Sequence, residues 1–387
     1  MNKGVVLVVD DEAQIRDILG FYLKRAGYHV LLSENGVQAL EQMDRLQPDL
    51  ILSDMRMPGM AGDEFCRAVK GNPATRDIYF MLVTAMDGTA SRIGGLNLGA
   101  DDLITKPFHA QEVMAKVESA FRIIGMQKEI KRQNQALTRF QERMTAELAL
   151  AASLQAGLLP PLPGLAPGIR YTHRYLPAEG LGGDIYAILP RADGTTGLMV
   201  ADVSGHGVTA ALISAMVKSF FDGQVHLGSD PLAWALAMNR DLARSTLPEQ
   251  FATAFLACVD PACNELRYVC AGQTPPLLIP AGSGGGRCTP LPLRTPGFML
   301  GLEDGLPFEA RSCPFAPGDR LVLYTDGLVE VEREDRSILG DEGLLEICRE
   351  LPADAEAAAD RIVALAKASN GPSAFVDDVT LVLVDRA

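Results

Sequence analysis

The chain has 387 residues, 48% hydrophobic and 22% charged, with a formal net charge of −14 at pH 7. That length exceeds what one hydrophobic core usually serves, so at least two domains are expected, and the acidic balance excludes the basic surface that a nucleic-acid partner requires. Seven cysteines, odd in number and without paired C-x-x-C spacing, exclude a disulfide framework or a thiolate zinc site and fit a reducing compartment.

Met1 to Gly4 leads straight into the apolar run VVLVV, too short for the core of a signal peptide. No apolar run reaches about 18 residues, so no membrane partner is expected and the cytoplasm is the expected location. From Val5 to about Ile124, short apolar runs (VVLVVD, HVLLSE, DLILSD, YFMLVTA, DLITK) alternate with amphipathic segments of helical length. This predicts a doubly wound parallel α/β sheet. Ligands of such sheets bind beyond the carboxyl ends of the strands, and those ends carry Asp10, Asp11, Asp54, Thr84 and Lys106. One strand-end Asp would be a solvated turn residue. Clustered carboxylates with a lysine suit a hard cation beside an anion, the chemistry of magnesium-assisted phosphoryl transfer.

The motifs VVDDE, SDMRMPGMAG, VTA and GADDLITKPF resemble the receiver domain of bacterial two-component response regulators, a flavodoxin-like fold, over residues 1–122. The resemblance implies Asp54 as phosphoacceptor and Mg2+ held by Asp10, Asp11, Asp54 and the Arg56 backbone carbonyl. It also implies Thr84 and Lys106 as phosphate contacts, with a cognate histidine kinase or phosphotransfer protein as partner. Leu103 stands where the family often has an aromatic, which speaks against a switch built on an aromatic rotamer.

Residues 123–159 hold no Pro and repeat apolar side chains at a seven-residue spacing: Ile123, Ile130, Leu137, Met144, Ala151 and Leu158. Met126, Phe140 and Leu154 accompany them, while Gln133 and Glu147 interrupt the second row. The pattern predicts a coiled-coil helix joining two copies through an imperfect seam. The run LLPPLPG ends that helix, because Pro removes donors and restricts its neighbour, and a second domain spans 160–387.

In that domain the strand-like runs GLMVADV, AFLACV, ELRYVCA, PPLLIP, RLVLYTD and VTLVLV mix with helical segments, an α+β pattern. Aspartates recur at strand ends among small residues: Asp184 in GLGGDIYAI, Asp202 in MVADVSGHG, Asp326 in VLYTDGLVE, and Asp377 with Asp378 in FVDDVTLVL. Carboxylates beside glycine let ligand and backbone approach closely and favour magnesium or manganese. One aspartate shared by two such ions would support in-line attack on phosphorus. Rival chemistries fit less well. Asp202 precedes Ser204 where the hydrolase elbow needs Gly, Gly205-His206-Gly207 lacks the third dinucleotide glycine, and Ile185-Tyr186 breaks the cyclase signature that LGGD suggests. His206 is expected as a helix N-terminal residue.

The motifs ELALAASLQAGLLP, GGD, ADVSGHG, FATAFLA, AGQTPPLL, GFMLGL, LVLYTDGLVE and DDVTLVLV resemble the SpoIIE-type branch of the metal-dependent PPM serine/threonine phosphatases, a β-sandwich flanked by helices. The resemblance implies catalytic Asp184, Asp202, Asp326 and Asp377 holding two Mn2+ or Mg2+. Asp184 and Asp202 serve one ion, Asp202, Asp326 and Asp377 the other, and the Val203 backbone carbonyl is a further ligand. Asp378 is the neighbouring candidate. Ala187 and Gln273 depart from the family pattern and point to altered substrate contacts. The combined expectation is a response regulator whose phosphatase output acts on a phosphoserine or phosphothreonine protein, by resemblance an anti-sigma-factor antagonist. The competing expectation is an inactive adaptor that binds a sigma factor or its regulator. Retention of Asp184, Asp202, Asp326 and Asp377 favours the enzyme.

Overall fold

The computed structural model describes residues 3–43, 45–85, 99–161, 164–178, 180–247, 249–282, 289–331, 337–369 and 375–387. Part of the helix-ending run, Leu162 and Pro163, lies outside them. The chain divides into two compact units, Met1–Glu142 and Arg143–Ala387. Among the described residues no helix is long and apolar enough to cross a membrane.

The first unit runs β1 (Val5–Val9), α1 (Ala13–Arg25), β2 (His29–Ser33), α2 (Gly36–Met43), β3 (Leu50–Asp54), α3 (Gly62–Gly71), β4 (Tyr79–Ala85), β5 (Asp102–Lys106) and the part of α4 (Ala110–Ala156) up to Glu142, the rest of that helix belonging to the second unit. Its five strands are parallel in the order β2-β1-β3-β4-β5. Helices cover both faces, which is why β3, LILSD, is buried at every position instead of alternating. One face packs Val6, Val8, Leu50 and Leu52 on α1 and the start of α4, and the other packs Leu7, Ile51 and Phe80 on α2 and α3.

Helix α4 starts well before residue 123. Val113, Val117, Ala120 and Ile124 bury one stripe in the first unit's core, and the helix continues without a break to Ala156. Beyond it Ile130 and Leu137 of the seven-residue row are solvent-exposed at 58% and 54%, as is Phe140 of the companion row at 62%.

The second unit comprises β6 (Gly164–Ala166), β7 (Ile169–Leu176), β8 (Ile185–Pro190), β9 (Thr196–Val203), α5 (Val208–Leu227), α6 (Pro231–Ser245), β10 (Ala252–Asp260), β11 (Glu265–Ala271), β12 (Leu277–Ile279), β13 (Leu291–Pro292), β14 (Arg311–Pro314), β15 (Arg320–Tyr324), a short 3-10 turn (Asp326–Leu328), α7 (Gly340–Arg349), α8 (Ala355–Ser369) and β16 (Val379–Arg386). Two antiparallel sheets form, β14-β11-β10-β9-β8 and β13-β12-β15-β16-β7-β6. Tyr186, Val200, Phe255, Leu321 and Val382 fill the space between them. Helices α5 and α6 bury Val217, Phe221 and Trp234 on the first sheet, and α7 and α8 bury Leu344 and Ile362 on the second. The result is the expected sandwich flanked by helices.

His173 of β7 hydrogen-bonds through Nδ1 to the Tyr186 hydroxyl. Burial, then the charge of Arg174, lowers its pKa from the usual 6.5, with Glu356 opposing. A histidine depressed in the folded state supports stability above its unfolded pKa and loses that support as pH falls through it. Thermal melts at pH 7.5 and 5.5 should therefore show a smaller pH loss for His173→Phe than for the native chain. Equal losses would assign the effect to other groups.

Candidate functional site

The first unit gathers polar groups at the carboxyl end of its sheet. Lys106 Nζ lies 2.6 Å from Asp54 Oδ1 and 3.1 Å from Asp10 Oδ2. The Arg56 backbone N–H donates to Asp54 Oδ2 at 2.9 Å. Asp10, Asp54 and Thr84 are buried, whereas Asp11 is exposed. Burial raises the Asp10 pKa against the N–H of Glu12 and the Lys106 ammonium. For Lys106 burial pulls the pKa down, but Asp54 and Asp10 outweigh it and the net shift is upward. Two buried carboxylates thus share one ammonium, a donor set that suits a further hard cation. The Thr84 hydroxyl, one strand away, donates to the Met55 sulfur at 3.7 Å. Sequence reading missed Arg16, which donates to the Asp10 and Asp11 carbonyls at 2.7 and 3.1 Å; its position inside α1 gave no signal.

The second unit places Asp184 just before β8, Asp202 next to the end of β9, Asp326 just after β15, and Asp377 with Asp378 just before β16. Strands β8 and β9 belong to one sheet, β15 and β16 to the other. The two sets meet through the Thr325 hydroxyl, which donates to Asp184 Oδ2 at 2.7 Å and accepts from Thr380 N at 2.9 Å. Asp184 is 1% exposed; burial, then Asp202, pushes its pKa well up. Burial, then Asp326, Asp377 and Asp378, raises Asp202 to about 7. Burial, Glu330 and Asp377 raise Asp326. The charged neighbours named as the largest influences on all three are carboxylates.

Among the described residues no three such side chains close into a ready-made metal cage. The donor set nonetheless fits hard divalent cations: carboxylates gathered at the strand ends of both sheets with the Val203 carbonyl nearby. The Val203 oxygen would lie 2.7 Å from any Cβ on Gly183, so only glycine admits that approach. Gly205 and Gly207 have φ of +91° and +77°, which the turn from Asp202 into α5 requires.

Ser204 is spent on structure: its Oγ accepts from Phe251 N at 3.1 Å while its own N–H donates to the Phe251 carbonyl at 3.0 Å. His206 is exposed on the turn before α5. Ala187 and Gln273 are both buried. Ala187 is packed under α5, and the Gln273 amide accepts from Thr253 at 2.8 Å and donates to the Tyr324 carbonyl at 3.0 Å, bridging the sheets.

One contact enters from the helix. Gln155, 6% exposed in a helical stretch that is otherwise largely solvated, donates to the Gly182 carbonyl at 2.7 Å and Ser214 Oγ at 3.1 Å, and accepts from Gly182 N at 3.2 Å. It grips the residue two before Asp184. The heptad pattern gave no hint of this, because Gln155 lies off the apolar row.

Comparison with known proteins follows the same division. Residues 192–387 match the family model described as stage II sporulation protein E (SpoIIE), and residues 6–118 match that of the response regulator receiver domain. The phosphate regulon transcriptional regulatory protein PhoB of Pseudomonas aeruginosa is 42% identical over 125 residues, 32% of this chain and 55% of its own length. PhoB of Escherichia coli is 39% identical over 120 residues, 31% of this chain and 52% of its own. The chain spans about half the length of these curated relatives. Among solved structures, the SiaA-PP2C domain of Pseudomonas aeruginosa aligns with 64% of this chain and 98% of its own at a TM-score of 0.55 and 23% identity, a likeness of fold.

Proposed function

The chain belongs to the SpoIIE family and carries a response regulator receiver domain ahead of its phosphatase domain, and from that premise we propose that it is a receiver-controlled, metal-dependent protein serine/threonine phosphatase. Its parts are a receiver (1–122), a helical linker (123–159) and a phosphatase domain (160–387). The observation that carries this reading is the gathering of Asp184, Asp202, Asp326 and Asp377 at the strand ends of both sheets, where burial and neighbouring carboxylates push Asp184, Asp202 and Asp326 up.

Asp184 and Asp202 would hold one Mn2+ or Mg2+, and Asp202, Asp326 and Asp377 a second, with the Val203 carbonyl as a further ligand. Divalent cations there supply Lewis acidity and a water of lowered pKa. The protein's part is to hold the carboxylates. Thr325 fixes one oxygen of Asp184, and fixed outer partners of this kind sustain ligand orientation. In the receiver, Asp54 would take phosphate from a histidine kinase or phosphotransfer protein; Asp10, Asp11, Asp54 and the Arg56 carbonyl would hold Mg2+, and Thr84 and Lys106 would contact the phosphoryl group. The substrate is a phosphoserine or phosphothreonine protein, an anti-sigma-factor antagonist in a partner-switching pathway. The exposed row Ile130, Leu137 and Phe140 supports a homodimer through the linker.

The test is phosphate release from a phosphoserine peptide by the full chain with and without manganese. Manganese-dependent turnover is the expected result. Binding of phosphopeptide without any turnover would replace this reading by the inactive adaptor.

A further inference from the structure

Asp377 and Asp378 are adjacent carboxylates with different surroundings. Asp377 is exposed, and its Oδ1 accepts from the Asp378 N–H at 2.8 Å. Asp378 is 7% exposed. Its Oδ1 accepts from Ala178 N at 2.8 Å and its Oδ2 from Gly183 N at 2.7 Å, so both oxygens are turned onto the backbone that leads into Asp184. Those partners lie 200 and 195 residues away in the chain. Gly182 lets the carboxylate under the backbone: a Cβ there would lie 2.6 Å from Asp378 Oδ2. Gly182 is also the residue whose N–H and carbonyl are paired with the Gln155 amide. The Gly182-Gly183 pair is therefore gripped from two directions, by the helix and by the segment entering β16.

We propose that Asp378 is a positioning residue that fixes the Gly182-Gly183 backbone and thereby the direction of Asp184, and that Asp377 alone of the adjacent pair is a cation ligand. This rests on the metal-phosphatase reading. A carboxylate suits the task because it is acceptor-only and can take two N–H donors at once. An amide in its place presents one acceptor and one donor, so one of the two N–H groups would face another donor.

The experiment uses the full chain and compares native protein, Asp377→Asn and Asp378→Asn. Two readouts are taken: Mn2+ bound per chain at saturation, by equilibrium dialysis, and hydrogen exchange at the amides of Ala178 and Gly183. Asp377→Asn should bind one Mn2+ fewer with native exchange at both amides. Asp378→Asn should bind the native number with affinity weakened roughly 10- to 100-fold, and exchange at Gly183 should quicken at least about tenfold. Gly182→Ala, which presses a methyl group on Asp378, should share the fast exchange and guards against misfolding of one variant. Loss of a bound Mn2+ in Asp378→Asn with native exchange would overturn the proposal. If the native chain binds no cation to its phosphatase domain, the metal reading fails. The exchange arm then still decides the positioning role: quickened exchange in Asp378→Asn sustains it, and unchanged exchange rejects it.

Discussion

Asp202→Asn should lower phosphatase turnover at least about a thousandfold, some 4 kcal/mol at about 1.4 kcal/mol per decade of rate. Asp202 is the one carboxylate whose protonation is pushed by Asp326, Asp377 and Asp378 and which in turn pushes Asp184. An amide keeps the shape but removes the charge and one acceptor, so under the proposed assignment both cation sites would lose their shared ligand. Burial already disfavours the Asp202 charge, and a neutral isostere should leave the metal-free fold at least as stable. A melt of the metal-free variant at or above the native temperature, combined with lost phosphate release, isolates the effect to chemistry. Near-native, manganese-dependent turnover in Asp202→Asn would sink the shared-ligand assignment.

The strand-end aspartates were legible because each sits at the end of an apolar run among small residues, a local signal. What the sequence hid was longer in range. The segment IRYTHRYL, with two Arg and a His, does not look like a strand, yet it is β7. Arg174 on it pairs with Glu356 and Asp360 of α8 at 2.9 and 2.7 Å. Its polar residues are answered by a helix almost two hundred positions later. The continuity of α4 was hidden for another reason: the stripe Val113, Val117, Ala120, Ile124 and the row Ile130, Leu137, Phe140 serve different environments, so the pattern changes in mid-helix. The different surroundings of Asp377 and Asp378 could not be read from two identical neighbours, because the donors that separate them, Ala178 and Gly183, are far away in the chain.

Asp54→Ala should abolish acyl-phosphate formation and with it any response of the phosphatase to a small phosphodonor. In the unphosphorylated chain the Asp54 carboxylate is held by Lys106 at 2.6 Å and by the Arg56 N–H at 2.9 Å. Turning the singly charged Asp54 carboxylate into an acyl phosphate of about −1.5 to −2 adds about 0.5 to 1 negative charge and bulky acceptor oxygens, so Lys106 must redistribute its contacts with Asp54 and Asp10. Helix α4 packs Val113, Val117 and Ile124 in the core of the first unit, and its Gln155, in the second unit, grips Gly182. Phosphorylation can bias that grip only by favouring one arrangement, and a coupling of about 1 to 3 kcal/mol corresponds to roughly 5- to 150-fold in activity; activation is the expected direction. Gln155→Leu separates the steps. It should still take phosphate on Asp54, seen by intact mass, while the ratio of phosphatase rates with and without phosphodonor falls toward one. A native ratio in Gln155→Leu would show that the signal reaches Asp184 by another route, and an adduct persisting in Asp54→Ala would remove Asp54 as the acceptor.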